Sequence, residues 1–258
     1  MAYTGLSLEG KVAVVVGGTT GIGRALALGL AEAGASVVAS SRRLEQVEET
    51  AKLIETRGSR TLRLTSDVTD RASLESLRDR TVSAFGQVHI LLNCAGFTKR
   101  TPTLDVPEAE WYSIMETNLM GTLRGCQVFG RHMLERGYGR IVNIGSLTTF
   151  VALHEVAAYA ASKSAVGSLT KSLAIEWGPR GVNVNAIAPG VFRTNINQAL
   201  LDGTERGREL LLRTPMKRFG KVEELVGAGI FLSSDSASFV NGEIIAVDGG
   251  FLASGVNQ

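Results

Sequence analysis

Two cysteines, three histidines and five prolines among 258 residues leave little material for several common kinds of site. Cys94 and Cys126 lack metal-ligand spacing, and three histidines do not make up for it, so no metal centre is expected. Two reduced thiols in a cytosolic protein are expected instead. Charge of one sign is missing too: 27 Lys and Arg stand against 25 Asp and Glu, for a net charge of +2. The RR and KR pairs are too short for a basic patch, and nucleic acid is not an expected partner. No apolar run approaches the ~20 residues of a membrane helix. The start, MAYTGLSLEGK, lacks the basic residues and apolar core of a signal peptide. A soluble, cytoplasmic protein that does not bind membranes is the expectation.

Glycine, by contrast, is plentiful. Thirty glycines with no Gly-X-Y period suit a fold with many tight strand-to-helix turns. The run KVAVVVGG (11–18) reads as a buried strand, RALALGLAEAGA as a helix stopped near Gly34, and SVVAS (36–40) as a second strand. LEQVEETAKLIETRG (44–58) reads as an amphipathic helix. The alternation continues through strands at RTLRLTSD (60–67), VHILLNCAG (88–96), RIVNIGS (140–146), VNVNAIAPG (182–190) and EIIAVDGG (243–250). Helices are expected between them at 73–86, 157–178 and 221–234, and one or two long helices at 108–136. Strand alternating with helix at this spacing predicts an α/β fold with a doubly wound, mainly parallel sheet. No linker-like stretch interrupts it, so residues 1–258 are read as one domain. The segment 192–217 fits the alternation least well and is a candidate lid over a site.

Two local patterns carry chemistry. In VVVGGTTGIGRALA, Gly17, Gly21 and Gly23 give G-x-x-x-G-x-G after a strand and opening a helix. Such a turn lets backbone approach a pyrophosphate whose charge sits at the helix N-terminus. A plain strand-to-helix turn is the alternative, and the position in the first βα unit favours the dinucleotide. The second pattern, YAASK (159–163), places Tyr159 and Lys163 one helical turn apart on one face. A free tyrosine holds its proton up to a pH of about 10. A nearby ammonium favours the phenolate, so Lys163 is expected to lower the pKa of Tyr159. A half-buried tyrosine beside a solvated lysine is the other reading.

GGTTGIG, NCAG (93–96), Ser146, YAASK and APG (188–190) occur in an order and spacing that resemble the short-chain dehydrogenase/reductase family across essentially the whole chain. The resemblance implies a Rossmann-type fold flanked by helices and interconversion of a ketone and a secondary alcohol by hydride transfer. It implies that Tyr159 gives and takes the proton, that Lys163 also holds the nicotinamide ribose, and that Ser146, thirteen residues upstream of Tyr159, donates to the substrate oxygen. Asn118 matches a helix asparagine that holds a relay water, although such asparagines more often face solvent. For the cofactor, the resemblance implies contacts from Gly17, Thr19, Thr20, Gly21, Ile22 and Gly23, and from Ala95, Gly96, Pro189, Gly190 and Thr194. Asp67 and Val68 match the adenine contact, with capping of the next helix as the other role open to Asp67. Asn93 matches a residue that steadies the sheet beside the cofactor.

Ser41 and Arg42 follow the second strand, where NAD sites carry an acid and NADP sites an arginine. NADP(H) is therefore expected over NAD, the alternative being arginines that merely solvate a helix start. The loops 97–100 and 147–158 and the lid mix polar and apolar residues. They favour a polar small molecule, a sugar acid or polyol, with Arg208 and Arg213 as candidate carboxylate clamps or plain surface arginines. A 3-oxoacyl-thioester reductase shares every motif, and a non-catalytic NADP(H) sensor is the reading from another class. The resemblance further implies a homotetramer.

Overall fold

The computed structural model describes residues 4–193 and 201–255. Six parallel strands form one sheet in the order β2-β1-β3-β4-β5-β6. They are β1 (Val12–Val16), β2 (Ser36–Ser40), β3 (Ile90–Asn93), β4 (Gly139–Ile144), β5 (Val182–Pro189) and β6 (Ile244–Val247). Strand β1 shows why the run is apolar without alternation. Ala13 and Val15 enter one core while Val14 and Val16 enter the other, so both faces are buried.

Helices α1 (Gly21–Glu32) and α2 (Leu44–Glu55) follow the first two strands. On the other face, α3 (Arg71–Phe85) begins at Asp70, whose side chain accepts the Ala72 N–H. Next come α4 (Glu108–Met115), a π-helical turn over Glu116–Met120, and α5 (Gly121–Arg136). The long α6 (Ala157–Trp177) precedes β5, and α7 (Glu205–Arg213) and α8 (Val226–Ser233) precede β6. Leu26 and Leu30 of α1 share a core with Leu232 of α8. Leu74 of α3, Phe129 of α5 and Leu173 of α6 fill the opposite core. This is the doubly wound α/β arrangement expected from the sequence.

One expected strand is absent. Residues 60–67 run beside β2 without forming a ladder. Val37 N–H donates to the Arg60 carbonyl and Ser66 N–H to that of Ser41, both at 3.0 Å. Between them the contact passes through a side chain, because Ser40 Oγ donates to Leu64 O at 2.6 Å and lies 2.8 Å from Ser66 Oγ. The sequence predicted a strand here; two hydroxyls take the place of part of the regular pairing. Over 108–136, where one or two helices are expected, the i→i+5 turn at Glu116–Met120 separates α4 from α5. Among the described residues no helix is long and apolar enough to cross a membrane.

Candidate active site and dinucleotide cleft

A cleft of about 900 Å³ opens at the carboxyl ends of β1 and β3, where the strand order reverses. The glycine turn lines it through Gly17, Thr19, Thr20, Gly21, Ile22 and Gly23. Two of these glycines are sterically required. Gly17 has φ of +77°, and a Cβ there would lie 2.5 Å from Ala95 N. A Cβ on Gly23 would lie 2.1 Å from the Gly17 carbonyl oxygen. Thr20, at the N-cap of α1, accepts no N–H from the first turn with its side chain, in contrast to Asp70 in α3. The glycines thus bring the backbone donors at the start of α1 to the cleft, a chemistry that fits a pyrophosphate.

At one end, Ser41 and Arg42 line the cleft together with Arg43 and Gln46. Ser41 is held by Thr19, whose hydroxyl donates to Ser41 Oγ at 2.7 Å. Arg42 and Arg43 are exposed at the rim. Asp67 and Val68 form the adjoining wall. The Asp67 carboxylate accepts the Thr69 N–H at 2.9 Å and its hydroxyl at 2.8 Å. Those bonds hold its pKa below the ordinary carboxylate value, and the charge of Arg42 adds to the effect. Asp67 therefore closes its own turn; the helix-capping role falls to Asp70.

At the other end, Ala95 and Gly96 form the wall beneath which the proton-transfer candidates gather. A Cβ on Gly96 would lie 3.1 Å from Asn118 Oδ1 and 3.4 Å from Lys163 Nζ. Asn118, fully buried, accepts the Phe97 N–H and donates to the Phe97 carbonyl, each at 2.9 Å. It also donates to Ser162 Oγ at 3.1 Å, and Ser162 donates to the Tyr159 carbonyl at 2.7 Å. A solvent-facing asparagine is thereby excluded. Ser146 caps the short turn Leu147–Thr149 by accepting the Thr148 N–H.

Lys163 is 5% exposed and donates to the Ile144 carbonyl at 2.7 Å. It is not a solvated lysine. Burial pulls its pKa down to about 8. Its Nζ lies 5.8 Å from the Tyr159 ring centroid. The pKa of Tyr159 itself departs from expectation. Burial pushes the phenol up, and the hydroxyl of Ser146, not the ammonium of Lys163, opposes that shift. The physical reason is that Lys163 spends its hydrogen bond on a β4 carbonyl while the phenol stands in a poorly hydrated niche.

Asn93 is buried at the end of β3 and directs its amide to Asn143 Oδ1 at 2.9 Å and Cys126 Sγ at 3.4 Å. Asn143 in turn donates to Thr170 of α6 at 2.9 Å, so this trio supports the sheet beneath the cleft. Pro189 and Gly190 end β5 at the same edge of the sheet, with the Gly190 N–H on the Val247 carbonyl. Thr194 lies outside the described residues, as do 194–200 of the segment read as a lid.

Loop 147–158 meets both α7 and loop 97–100, and Arg206 is the residue there that the sequence reading did not single out. Arg206 of α7 donates to the His154 carbonyl at 3.2 Å. Glu155, at φ of +61°, is paired with Arg100 at 2.6 Å, and its carbonyl accepts the Thr101 N–H at 2.9 Å. These contacts connect α7 to loop 150–156 and that loop to 97–101. Arg213, by contrast, lies over the Phe251 ring at 5.3 Å, turned toward the chain end, and Arg208 is exposed. Adjacent charges in KR or HE carry no pattern that marks them in advance; only the packing of separate loops does. The two thiols, Cys94 beside the glycine turn and Cys126 below Asn93, are free, and burial pushes each up to about 12.

Comparison with known proteins gives a consistent picture. A family model described as enoyl-(acyl carrier protein) reductase matches residues 16–252. The 2-dehydro-3-deoxy-D-gluconate 5-dehydrogenase of Bacillus subtilis is 40% identical over 253 residues, covering 97% of this chain and 98% of that protein. The gluconate 5-dehydrogenase of Gluconobacter oxydans is 40% identical over 248 residues, 96% of this chain and 97% of its own. Among solved structures, a gluconate 5-dehydrogenase from Burkholderia cenocepacia in complex with NADP and tartrate superposes with a TM-score of 0.94. It is 38% identical and covers 98% of this chain and 99% of that one.

Proposed function

Because this chain belongs to the short-chain dehydrogenase/reductase family, we propose that it is an NADP(H)-dependent oxidoreductase interconverting a ketone and a secondary alcohol. The observation that carries this reading is the meeting at Gly96: one backbone segment walls the dinucleotide cleft and also touches Asn118 and Lys163. When bound, the nicotinamide supplies or accepts the hydride. Arg42 and Arg43 at the rim, with no carboxylate before Glu45, favour the 2′-phosphate of NADP. The relative solved with NADP supports the same choice.

The chain's own residues then handle the proton. In the reducing direction Tyr159 passes its phenolic proton to the carbonyl oxygen as charge develops there. Ser146 donates a hydrogen bond to the same oxygen. Lys163, buried beneath Gly96 with its ammonium on the Ile144 carbonyl, would hold the nicotinamide ribose, while the Ser146 hydroxyl favours the phenolate that remains. Asn118, locked to Phe97 and Ser162, fixes the π-turn at the rear of this group, where the relay is placed.

The substrate is proposed to be a sugar acid or polyol, as the names of the relatives suggest. Arg206 supports this, because among the described residues it meets the His154 carbonyl and no carboxylate, leaving positive charge for an acidic substrate. Residues 192–217, of which α7 is the described helical part, are proposed to act as a lid within one domain spanning the chain. Exposed Leu104, Ile175 and Phe239 are compatible with a tetramer, which sedimentation of the pure protein would measure.

The test is reduction of a 5-ketogluconate-type substrate by NADPH, set beside reduction of an acetoacetyl thioester. Preference for the sugar acid supports the substrate proposal, and preference for the thioester replaces it with the 3-oxoacyl reading. Tyr159→Phe is expected to lower turnover by ~10²–10⁴-fold with NADPH binding kept. Unchanged turnover in that variant would defeat the role given to Tyr159, and NADPH binding without turnover of either substrate by the parent chain would favour a sensor.

A further inference from the structure

We infer that Arg124 is a positioning residue that ties the adenine-side wall of the cleft to the π-turn carrying Asn118. The inference rests on the reading of the cleft given above. Arg124 lies on the first turns of α5, and its side chain is 17% exposed. One arm of its guanidinium donates to the Val68 carbonyl at 3.2 Å. Another arm pairs with Glu116 Oε1 at 2.6 Å. Val68 lines the cleft beside Asp67, and Glu116 opens the π-turn. A single planar group therefore spans two segments that do different work at opposite ends of the site.

Both segments need such a tie. The chain at 66–69 has no strand pairing, and Asp67 and Thr69 hold each other only locally. Its attachment to the body of the protein runs through Ser66, whose N–H donates to the Ser41 carbonyl and whose hydroxyl meets Ser40 Oγ, through Ser73 Oγ, which accepts the Asp67 N–H at 3.0 Å, and, at Val68, through Arg124. Packing adds to this, since a Cβ on Gly121 would lie 2.8 Å from Val68 Cβ. The π-turn lacks the ordinary i→i+4 pattern, and its register is set by the Gly121 N–H on the Glu116 carbonyl. Thr122 Oγ1, on the Asn118 carbonyl at 2.7 Å, and Arg124 on the Glu116 side chain hold it from the α5 side. The fork of an arginine meets a carbonyl and a carboxylate at once; a lysine ammonium on its single stem reaches one or the other. Arg124 accordingly places Val68 for the adenine and, through Glu116, keeps the π-turn in the geometry that presents Asn118.

The experiment measures binding of 2′,5′-ADP, the adenine half of NADP, by calorimetry to the full chain, and steady-state kinetics at saturating NADPH. Arg124→Met is expected to weaken 2′,5′-ADP about tenfold and to lower kcat with reduced nicotinamide mononucleotide only about threefold, the share carried by the Glu116 arm. Arg124→Lys, which keeps charge and packing, is expected to fall between the two and covers the case in which the methionine variant does not fold. Glu116→Gln is expected to leave 2′,5′-ADP binding within twofold of the parent and to lower kcat about threefold, separating the two arms. Equal 2′,5′-ADP affinity in parent and Lys or Met variants overturns the inference. Equal loss toward 2′,5′-ADP and the mononucleotide also overturns it, because that is the signature of general destabilisation. If the parent chain binds no 2′,5′-ADP, the cleft reading itself fails, an outcome distinguishable from failure of the Arg124 assignment.

Discussion

Replacing Lys163 by methionine should make the cofactor-free protein more stable while removing its activity. The ammonium is 5% exposed, and burial draws its pKa from 10.5 to about 8. A depression of about 2.5 units corresponds to about 3 kcal/mol of destabilisation at neutral pH, where the group is charged both folded and unfolded. Methionine removes that term and fills much of the same volume. Against it stands the 2.7 Å bond to the Ile144 carbonyl, whose loss costs about 1–2 kcal/mol. The net gain is about 1–2 kcal/mol, or roughly 2–6 °C in Tm for a chain of this size. The pH dependence follows from the sign of the shift. The folded pKa lies below the unfolded one, so the parent gains stability as pH rises from about 8 to 10.5 and loses it as pH falls back through about 8. The gap between variant and parent should therefore shrink toward pH 10.5. Thermal unfolding by circular dichroism at pH 7 and pH 10, without cofactor, measures both. A variant melting below the parent at pH 7, or a gap that does not narrow at high pH, would show that the charge is not held at a cost.

Gly23→Ala places a methyl 2.1 Å from the Gly17 carbonyl oxygen, and fluorescence titration should show NADPH affinity reduced at least tenfold. Asn143→Ala leaves the Asn93 amide and the Thr170 hydroxyl without their mutual partner, and urea unfolding should report a loss of about 2–4 kcal/mol; a loss under about 1 kcal/mol would speak against the buried trio. His89 Nδ1 accepts the Val12 N–H at 3.0 Å, and His132 Nε2 accepts the Val88 N–H at 3.3 Å. Burial, with help from Lys11 and Arg136 respectively, holds both pKa values below 6.5. Their contribution is complete above pH 6.5 and is lost as pH falls through the lowered values, so the urea midpoint should drop from pH 7.5 to 5.5. His132→Gln, which keeps an acceptor that does not protonate, should flatten that slope.

Much of this protein is legible without coordinates because its strongest signals are local. A buried parallel strand must be apolar on both faces, so VAVVV declares itself, and the glycines of GGTTGIG are fixed by contacts within one strand-turn-helix unit. The pairing of Tyr159 with Lys163 follows from helical spacing alone. Distance in the chain defeats such reasoning. Residues 60–67 have strand-like composition, yet the hydroxyls of Ser40 and Ser66, 26 positions apart, decide that no ladder forms. The pKa of Tyr159 depends on where Lys163 spends its hydrogen bond, and the accepting carbonyl belongs to β4. Arg206 and Arg124 acquire their partners only when α7 meets loop 150–156 and α5 meets loop 66–69. The sequence by itself determined the alternation, the turn and the order of the reactive groups, since each is written in neighbouring residues. Their burial, protonation and support came only with the tertiary structure, because those depend on contacts between segments far apart in the chain.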